Sequence, residues 1–175
     1  MKNEEKTNDS ESSKAKKCPL CGASMKMYWQ PISRGLAVSL VEFRKKAIIQ
    51  NNKVHIKNDI DFTKTEFNNF QKLRYHGLVA KWVNKTTKQH EGGYWLLTRR
   101  GNLFCKNQLE VPKKVKTFRN KIWDKSDEMV YLSDILKNEN MPYWKSIENL
   151  EFEFEDISDV EEIKFNSNGQ FELFN

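Results

Sequence analysis

The sequence predicts an α+β fold, because three local signals follow one another between Asp61 and Phe104. The first is a capping box, Thr63-Lys64-Thr65-Glu66, which begins a helix that ends at Gly77. The second is a hairpin with a polar tip, and the third is another helix, capped by Thr98. We therefore expect helices and an antiparallel hairpin to share one core.

An earlier helix is predicted from Ser33 to about Gln50. Its apolar residues recur at helical spacing and are expected to face the core: Leu36, Leu40, Phe43 and Ala47. Ser33 is the expected N-cap, and the cluster Arg44-Lys45-Lys46 is expected on the polar side. The alternating segment Val54-His55-Ile56 then predicts a short strand.

The helix Lys64–Tyr75 is predicted to have one apolar and one polar face. Phe67, Phe70 and Leu73 are expected to be buried. The exposed side is expected to carry amides, a hydroxyl, one cation and one aromatic ring, from Thr65, Asn68, Gln71, Lys72 and Tyr75, and Lys64 is a further candidate contact. Amides and hydroxyls suit the edges of nucleic-acid bases, and lysines suit phosphates. We therefore interpret this face as a candidate DNA-binding surface.

The hairpin is predicted from strands at Val79–Val83 and Tyr94–Thr98, joined by the loop Asn84–Gly93. The loop is too polar to pack, and its lysines Lys85 and Lys88 are further candidate DNA contacts. Thr98 is expected to cap a helix whose first turn holds Arg99 and Arg100. Cations oppose the helix dipole there, so a phosphate would stabilise the arrangement; two solvated arginines are the alternative.

The segment from Lys113 to Ile122 has two interpretations. Val115, Phe118 and Ile122 fit a helical stripe, whereas Val111-Pro112 and Thr117 suit a strand. Its five cations, Lys113, Lys114, Lys116, Arg119 and Lys121, are either a solvated face or a second contact with a nucleic-acid backbone. Beyond it, Met129–Leu132 is predicted to be a strand and Ser133–Leu136 a short capped turn or helix.

Charge is divided unevenly along the chain. Residues 151–175 contain eight acids and one base, a net charge of −7, whereas residues 1–150 contain 29 bases and 16 acids, a net charge of +13. A basic body favours a polyanionic partner, and double-stranded DNA is our expectation. A lysine-rich surface that serves only solubility is the alternative.

The sequence also bears on compartment. No apolar run reaches the ~18–20 residues that span a bilayer. Met1–Lys17 is polar and lacks the apolar stretch of a signal peptide, and three cysteines do not make a disulfide framework. We expect a cytoplasmic protein that does not contact a membrane.

Four regions are expected along the chain: a disordered tail (1–17), a knuckle (18–31), the main domain with an extension (32–145) and an acidic β-hairpin tail (146–175). In the last region Leu150, Phe152 and Phe154 alternate with glutamates, which predicts a strand with one apolar face. This tail is expected to pair with a protein partner or to compete with DNA for the basic body. The alternative is that its acids form an ordinary solvated strand face.

The segment Cys18-Pro19-Leu20-Cys21-Gly22 has the spacing of half a zinc ribbon. Cys18 and Cys21 are the candidate metal ligands, and zinc is the candidate cofactor. Tetrahedral zinc needs two more ligands, which Cys105, one of the histidines His55, His76 and His90, or a second chain would supply. A knuckle that retains the turn without the metal is the alternative.

From Ser33 to about Gln108 the order of elements resembles a winged helix-turn-helix domain. The pieces Leu73…Gly77-Leu78-Val79 and Tyr94-Trp95-Leu96-Leu97-Thr98-Arg99-Arg100-Gly101 carry the resemblance. It implies that Lys64–Tyr75 is a recognition helix and Asn84–Gly93 a wing tip. The chain departs from the pattern in having a single arginine, Arg74, in that helix. With its knuckle, the chain is also similar to small proteins of phages and other mobile elements.

These observations predict a non-catalytic DNA-binding protein that acts as a regulator, for example of transcription, or as an accessory factor. The alternative is a protein-interaction module of a larger nucleic-acid-processing or phage complex. Catalysis is disfavoured because the three histidines are scattered and none has the spacing of a nucleophile–base arrangement.

Overall fold

The structure is a computed structural model that describes residues 16–18, 21, 22 and 24–136. The predicted acidic tail (146–175), the end of the predicted extension and residues 1–15 of the predicted N-terminal tail lie outside the described residues. The last two residues of that N-terminal tail, Lys16 and Lys17, form a strand that pairs with Ser24–Met25 across the knuckle.

The described chain is a mixture of helices and antiparallel strands, as the α+β prediction requires. In chain order its elements are β1 (Lys16–Lys17), β2 (Ser24–Met25), β3 (Tyr28–Pro31), α1 (Arg34–Ile49), β4 (Val54–His55), α2 (Lys64–Phe70), a 3₁₀ helix (Gln71–His76), β5 (Val79–Val83), β6 (His90–Leu97), α3 (Arg99–Cys105), β7 (Val111–Pro112), β8 (Lys114–Phe118), β9 (Lys121–Lys125), β10 (Met129–Val130) and α4 (Leu132–Ile135).

Helix α1 is confirmed, with the Ser33 side chain accepting a hydrogen bond from the backbone N–H of Leu36. Leu36, Leu40, Phe43 and Ala47 are all buried, as their spacing predicts. The prediction that Arg44 lies on the polar side is wrong. Its side chain is buried and donates from Nε to Asn102 Oδ1 of α3 at 2.8 Å, so the guanidinium ties α1 to α3.

The helix that starts at the Thr63–Glu66 capping box is confirmed, but it changes type at Gln71. Gly77 ends it in the left-handed region (φ 69°), as predicted. Phe70 and Leu73 are buried, whereas Phe67 is 38% exposed, so the prediction that Phe67 is buried is wrong. Three α-helical residues turn by about 300°, so Phe67 lies about 60° away from the direction of Phe70.

A three-stranded sheet, in the order β4-β6-β5, packs beside the helices. The predicted hairpin is confirmed, but β6 begins at His90, so the loop is shorter than the predicted Asn84–Gly93. Gly93 lies within the strand at a φ of 83°, and a Cβ there would overlap the His55 ring of β4. Close approach of that ring therefore requires glycine at this position.

The start of α3 packs tightly on the turn that follows the 3₁₀ helix. Thr98 Oγ1 donates to the Gly77 carbonyl at 2.6 Å and accepts from the Gly101 N–H at 2.9 Å. A Cβ on Gly101 would overlap the Leu78 carbonyl oxygen. The two sequence pieces that carry the family resemblance are therefore joined by direct contacts in the fold.

The undecided segment from Lys113 to Ile122 forms strands. β8 and β9 pair through a two-residue turn, Arg119-Asn120, in which both residues have positive φ (47° and 64°). This conformation matches the twist of a tight hairpin. Strand β3, from the end of the predicted knuckle, pairs with the other edge of β8. Residues 28–31 are thus part of a second three-stranded sheet, β3-β8-β9.

The short elements after this sheet agree with prediction. Met129–Val130 form β10, which pairs with β7, and α4 follows over Leu132–Ile135. Val111, Val130 and Leu132 belong to the same hydrophobic core as residues of α1, so this segment is packed into the main domain. None of the helices over the described residues has both the length and the apolar character needed to cross a membrane.

Candidate nucleic-acid interface

The predicted polar face of the Lys64–Tyr75 helix is exposed along most of its length. Lys64, Thr65, Asn68 and Gln71 are exposed, and Lys72 is half-buried. The buried Phe70 and Leu73 anchor the opposite side in the main core. The Asn69 amide at the margin of this face donates to the Thr65 carbonyl at 2.9 Å. The result is a fixed helix that presents two lysines, a hydroxyl and two amides to solvent.

Tyr75 does not belong to that face, so the prediction that its side chain is exposed there is wrong. Its ring is only 9% exposed and packs with Val115 and Ile122 of the second sheet. Its hydroxyl donates to Asn120 Oδ1 in the β8–β9 turn at 2.9 Å. The spacing of residues along the helix could not predict that Tyr75 is covered, because the sheet that covers it follows about forty residues later in the chain.

The hairpin tip is held in one conformation by Asn84. Its Oδ1 accepts the backbone N–H groups of Thr86 (2.9 Å) and Thr87 (3.2 Å), and its own N–H bonds the Gln89 carbonyl at 2.9 Å. Such a turn is typical of asparagine, whose side chain mimics a backbone carbonyl. Both predicted contacts, Lys85 and Lys88, are exposed on this ordered tip.

A cluster at the base of the hairpin was not predicted. Lys53 Nζ lies 3.6 Å from the ring centroid of Trp82 and 4.5 Å from that of Tyr94, and it pairs with Glu91 at 2.8 Å. The hydrogen bond from Lys53 lowers the pKa of Glu91. This lysine is therefore tied to two rings and a carboxylate, and it stiffens the hairpin through cation–π contacts.

The two arginines at the start of α3 differ in their surroundings. Arg99 is exposed. Arg100 is also exposed, but its Nε donates to the His76 carbonyl at 3.1 Å, at the end of the 3₁₀ helix. The Arg100 guanidinium thus satisfies a backbone carbonyl at the end of the 3₁₀ helix.

His76, the last residue of the 3₁₀ helix, is only 4% exposed. Burial lowers its pKa to about 4, and the charge of Arg100 adds to this effect. The backbone carbonyls of Gln30 and Pro112 oppose the shift, although neither ring nitrogen has a hydrogen-bond partner among the described residues. His76 is therefore a neutral core residue, and it belongs to no group of three or more possible metal ligands among the described residues.

The knuckle has the backbone geometry that its sequence predicts. The Gly22 N–H bonds the Cys18 carbonyl at 2.8 Å, and Gly22 has a left-handed φ of 68°. Cys18 is half-buried and Cys21 exposed. Cys105 is fully buried in the main core, and burial raises its pKa to about 12, which disfavours the thiolate that zinc needs. Within the described ranges no three His, Cys, Asp or Glu side chains are close enough to hold one metal ion.

A second polar and aromatic surface lies on the β3-β8-β9 sheet. It includes Trp29, Lys114, Lys116 and Phe118, of which only the lysines are candidate nucleic-acid contacts in the sequence. The alternation of Lys114, Lys116 and Phe118 with the buried Val115 and Thr117 was the available signal. The dense positive charge obscured it, because lysine is rare in strands and common on helices.

Comparison with protein-family models, with curated proteins and with solved structures gives no match for this chain.

Proposed function

We propose that this chain is a non-catalytic protein that binds duplex DNA through a winged-helix unit. In this proposal the helix Lys64–His76 is the recognition element, and the β5–β6 hairpin is the wing. The observation that carries the proposal is the exposed face of Lys64, Thr65, Asn68, Gln71 and Lys72 on a helix whose other side is anchored in the core. Regulation or assistance of a DNA transaction is the role that such a binding unit supports.

The chemistry of that face suits a duplex. Lys64 and Lys72 provide positive charge for phosphates, while the Asn68 and Gln71 amides each carry a donor and an acceptor for base edges. Arg74 is buried, so it does not add to the exposed face. The proposal therefore assigns most of the affinity to phosphates and a smaller part to base contacts.

The hairpin and the α3 start extend the proposed contact. Lys85 and Lys88 on the hairpin tip would lie along a phosphate backbone, as would Arg99 and Arg100, which are exposed at the start of α3. The net charge of +13 over residues 1–150 supports a polyanionic partner in general. Affinity of this kind depends steeply on salt, because bound lysines release the counterions of the DNA.

The test is binding of the full chain to labelled duplex DNA, measured by fluorescence anisotropy between about 50 and 200 mM salt. We expect a steep loss of affinity with salt. Lys72→Gln should reduce the slope of log affinity against log salt by about one for all sequences, whereas Asn68→Ala should weaken discrimination between sequences. Lys46→Gln, which removes an exposed lysine in the last turn of α1, is the matched control. Affinity that is independent of salt, or equal effects of Lys72 and Lys46, would reject the proposal.

A second candidate function, docking within a larger protein complex, is favoured by one observation. Ile49 is 77% exposed at the end of α1, beside an open groove of about 780 Å³ that also includes Val38, Ile60 and Phe62. A large exposed apolar residue beside such a groove is typical of a protein contact. Co-purification of a stoichiometric protein partner without nucleic acid, lost in Ile49→Lys, would favour this function over DNA binding.

A further inference from the structure

The second sheet has one face turned toward the helices and one turned away. Val115, Thr117 and Ile122 are buried, and two of them contact Tyr75 of the 3₁₀ helix. Side chains alternate across a strand, so Lys114, Lys116 and Phe118 lie on the opposite face. We call this opposite face, formed by Trp29, Lys114, Lys116, Phe118 and Trp123, the outer sheet face.

The strand register sets these side chains next to one another. Trp29 is directly opposite Lys116, and Lys116 Nζ lies 5.1 Å from the Trp29 ring centroid. Residues opposite each other in an antiparallel pair share a face. The strand register shifts between Lys116 and Thr117, near Trp123 of β9, and the Trp123 ring meets that of Phe118 edge-to-face with centroids 6.4 Å apart. The sheet thus carries aromatic rings on all three strands.

Positive charge surrounds these rings. Lys114 and Lys116 lie on β8, Lys121 is opposite Phe118, and the Arg119 guanidinium is 5.3 Å from the Phe118 ring centroid. One acid, Asp124, is opposite Lys116 and partly offsets the positive charge of that lysine. The face as a whole is cationic, with Trp29 43% exposed.

We propose that the outer sheet face binds single-stranded nucleic acid, with bases stacked on Trp29 and Phe118 and phosphates held by Lys114 and Lys116. Every base has a flat π-face, so stacking on aromatic rings needs no particular sequence, and the lysines follow the backbone. The bases of a duplex are already stacked on one another and cannot reach such a platform. Lysines are depleted at protein–protein contacts, so a nucleic acid explains the composition better than a protein partner.

This site is separate from the proposed duplex site. The outer sheet face points away from Tyr75, whereas the duplex proposal uses the Lys64, Asn68 and Lys72 side of the same helical segment. The single-strand proposal does not depend on the duplex proposal, and each can fail alone. If both hold, the chain can contact a single strand and a duplex at once, as at a junction between the two.

The test uses the full chain and a labelled oligothymidylate of about 16 nucleotides, a length within the range of known single-strand sites. Anisotropy gives the affinity, and tryptophan fluorescence reports stacking. We expect binding with quenching, and a loss of about tenfold or more in Trp29→Leu, as removal of one stacking ring produces. Tyr131→Leu is the matched control, because Tyr131 is 40% exposed but lies outside the sheet.

A lysine variant keeps the test decisive if Trp29→Leu disturbs folding. Lys116→Gln should retain the melting temperature, weaken oligothymidylate binding and reduce its salt slope by about one. Lys72→Gln should leave oligothymidylate binding unchanged. Absence of binding at low salt, equal effects of Trp29→Leu and Tyr131→Leu, or loss of binding in Lys72→Gln but not Lys116→Gln would each overturn the proposal. Capture of a protein partner that Trp29→Leu abolishes, without oligothymidylate binding, would overturn it as well.

Discussion

Tyr75 donates its phenolic hydroxyl to Asn120 Oδ1 at 2.9 Å, and this bond joins the 3₁₀ helix to the two-residue turn between β8 and β9. The turn residues Arg119 and Asn120 both have positive φ, a conformation that most side chains disfavour. The bond therefore helps to hold the β3-β8-β9 sheet against the 3₁₀ helix, and it requires a side chain with an acceptor at position 120 of the turn.

Tyr75→Phe removes the hydroxyl and keeps the ring. We expect a loss of about 1 kcal/mol in the free energy of unfolding, since Asn120 Oδ1 loses its donor. Duplex affinity should not change, because the ring is covered by Val115 and Ile122. Urea unfolding and anisotropy measure the two effects. A large loss of affinity with unchanged stability would mean that Tyr75 reaches DNA directly.

Gly101→Ala should destabilise the domain by about 3 kcal/mol, because the added methyl group would overlap the Leu78 carbonyl oxygen. The matched control is Gly35→Ala, at a helical position where a Cβ meets nothing within 4 Å. That change should be neutral, or stabilise by up to about 1 kcal/mol through helix propensity. Denaturant midpoints of the two variants give the comparison, and equal midpoints would contradict the tight packing at Gly101.

The Asn52 side chain bonds both backbone groups of Leu97, as the backbone of a neighbouring strand would. Its Nδ2 donates to the Leu97 carbonyl at 2.9 Å and its Oδ1 accepts the Leu97 N–H at 2.7 Å, with a φ of 64° at Asn52 itself. Asn52→Gly retains the left-handed conformation and removes both bonds, so we expect a loss of about 2 kcal/mol. Asn51→Gly, at the preceding position with φ 51°, removes no such bonds and should be close to neutral.

The buried His76 should make stability depend on pH. Its pKa is about 4 in the folded chain and about 6.5 when unfolded, so the unfolded chain binds the proton first as pH falls. The free energy of unfolding should decrease as pH falls below about 6.5, and the loss due to His76 should reach about 3 kcal/mol at pH 4. His76→Gln should remove that part of the pH dependence.

The measurement for His76 is the difference in unfolding free energy between wild type and variant at pH 7 and at about pH 4.5. Carboxylates titrate in both proteins and cancel in this difference. His90→Gln, which replaces an exposed histidine of the β5–β6 hairpin, is the control. A difference that stays constant with pH would show that the His76 ring is hydrated or already protonated.

The knuckle makes a prediction about zinc. Cys18 and Cys21 provide two thiolates, half of a tetrahedral set, and Cys105 is in the core. We expect elemental analysis of chelator-washed protein to find about one zinc per two chains, shared by two knuckles. Cys18→Ser should abolish the metal. About one zinc per chain would instead indicate ligands within the chain, and absent metal with unchanged melting in Cys18→Ser would end the zinc hypothesis.

Local signals in the sequence predicted most of the first half of the domain. The Ser33, Thr63 and Thr98 caps, the Gly77 stop and the β5–β6 hairpin are all present, because each depends on neighbours in the chain. These signals also located the exposed helix face. They could not show that its last predicted member, Tyr75, is covered by a sheet from a distant segment.

Two other failures share that cause. The charge of Arg44 predicts a solvent-exposed side chain, but the side-chain oxygen of Asn102 in α3 accepts a hydrogen bond from it inside the core. The β8–β9 hairpin was undecided, since its turn holds Arg119-Asn120 in place of the usual Asn-Gly and five cations mask the alternation. Long-range partners, and an unusual turn that depends on one of them, do not appear in local patterns.

The pairing of β3 with β8 also constrains how the molecule can fold. Trp29 pairs with Lys116, although the whole helix-and-hairpin segment lies between these two residues in the chain. Closing so long a loop is entropically costly before the intervening elements have formed, so the second sheet is expected to assemble last. During synthesis on the ribosome, the stretch around Trp29 would emerge first and remain without its strand partner until β8 had left the exit tunnel.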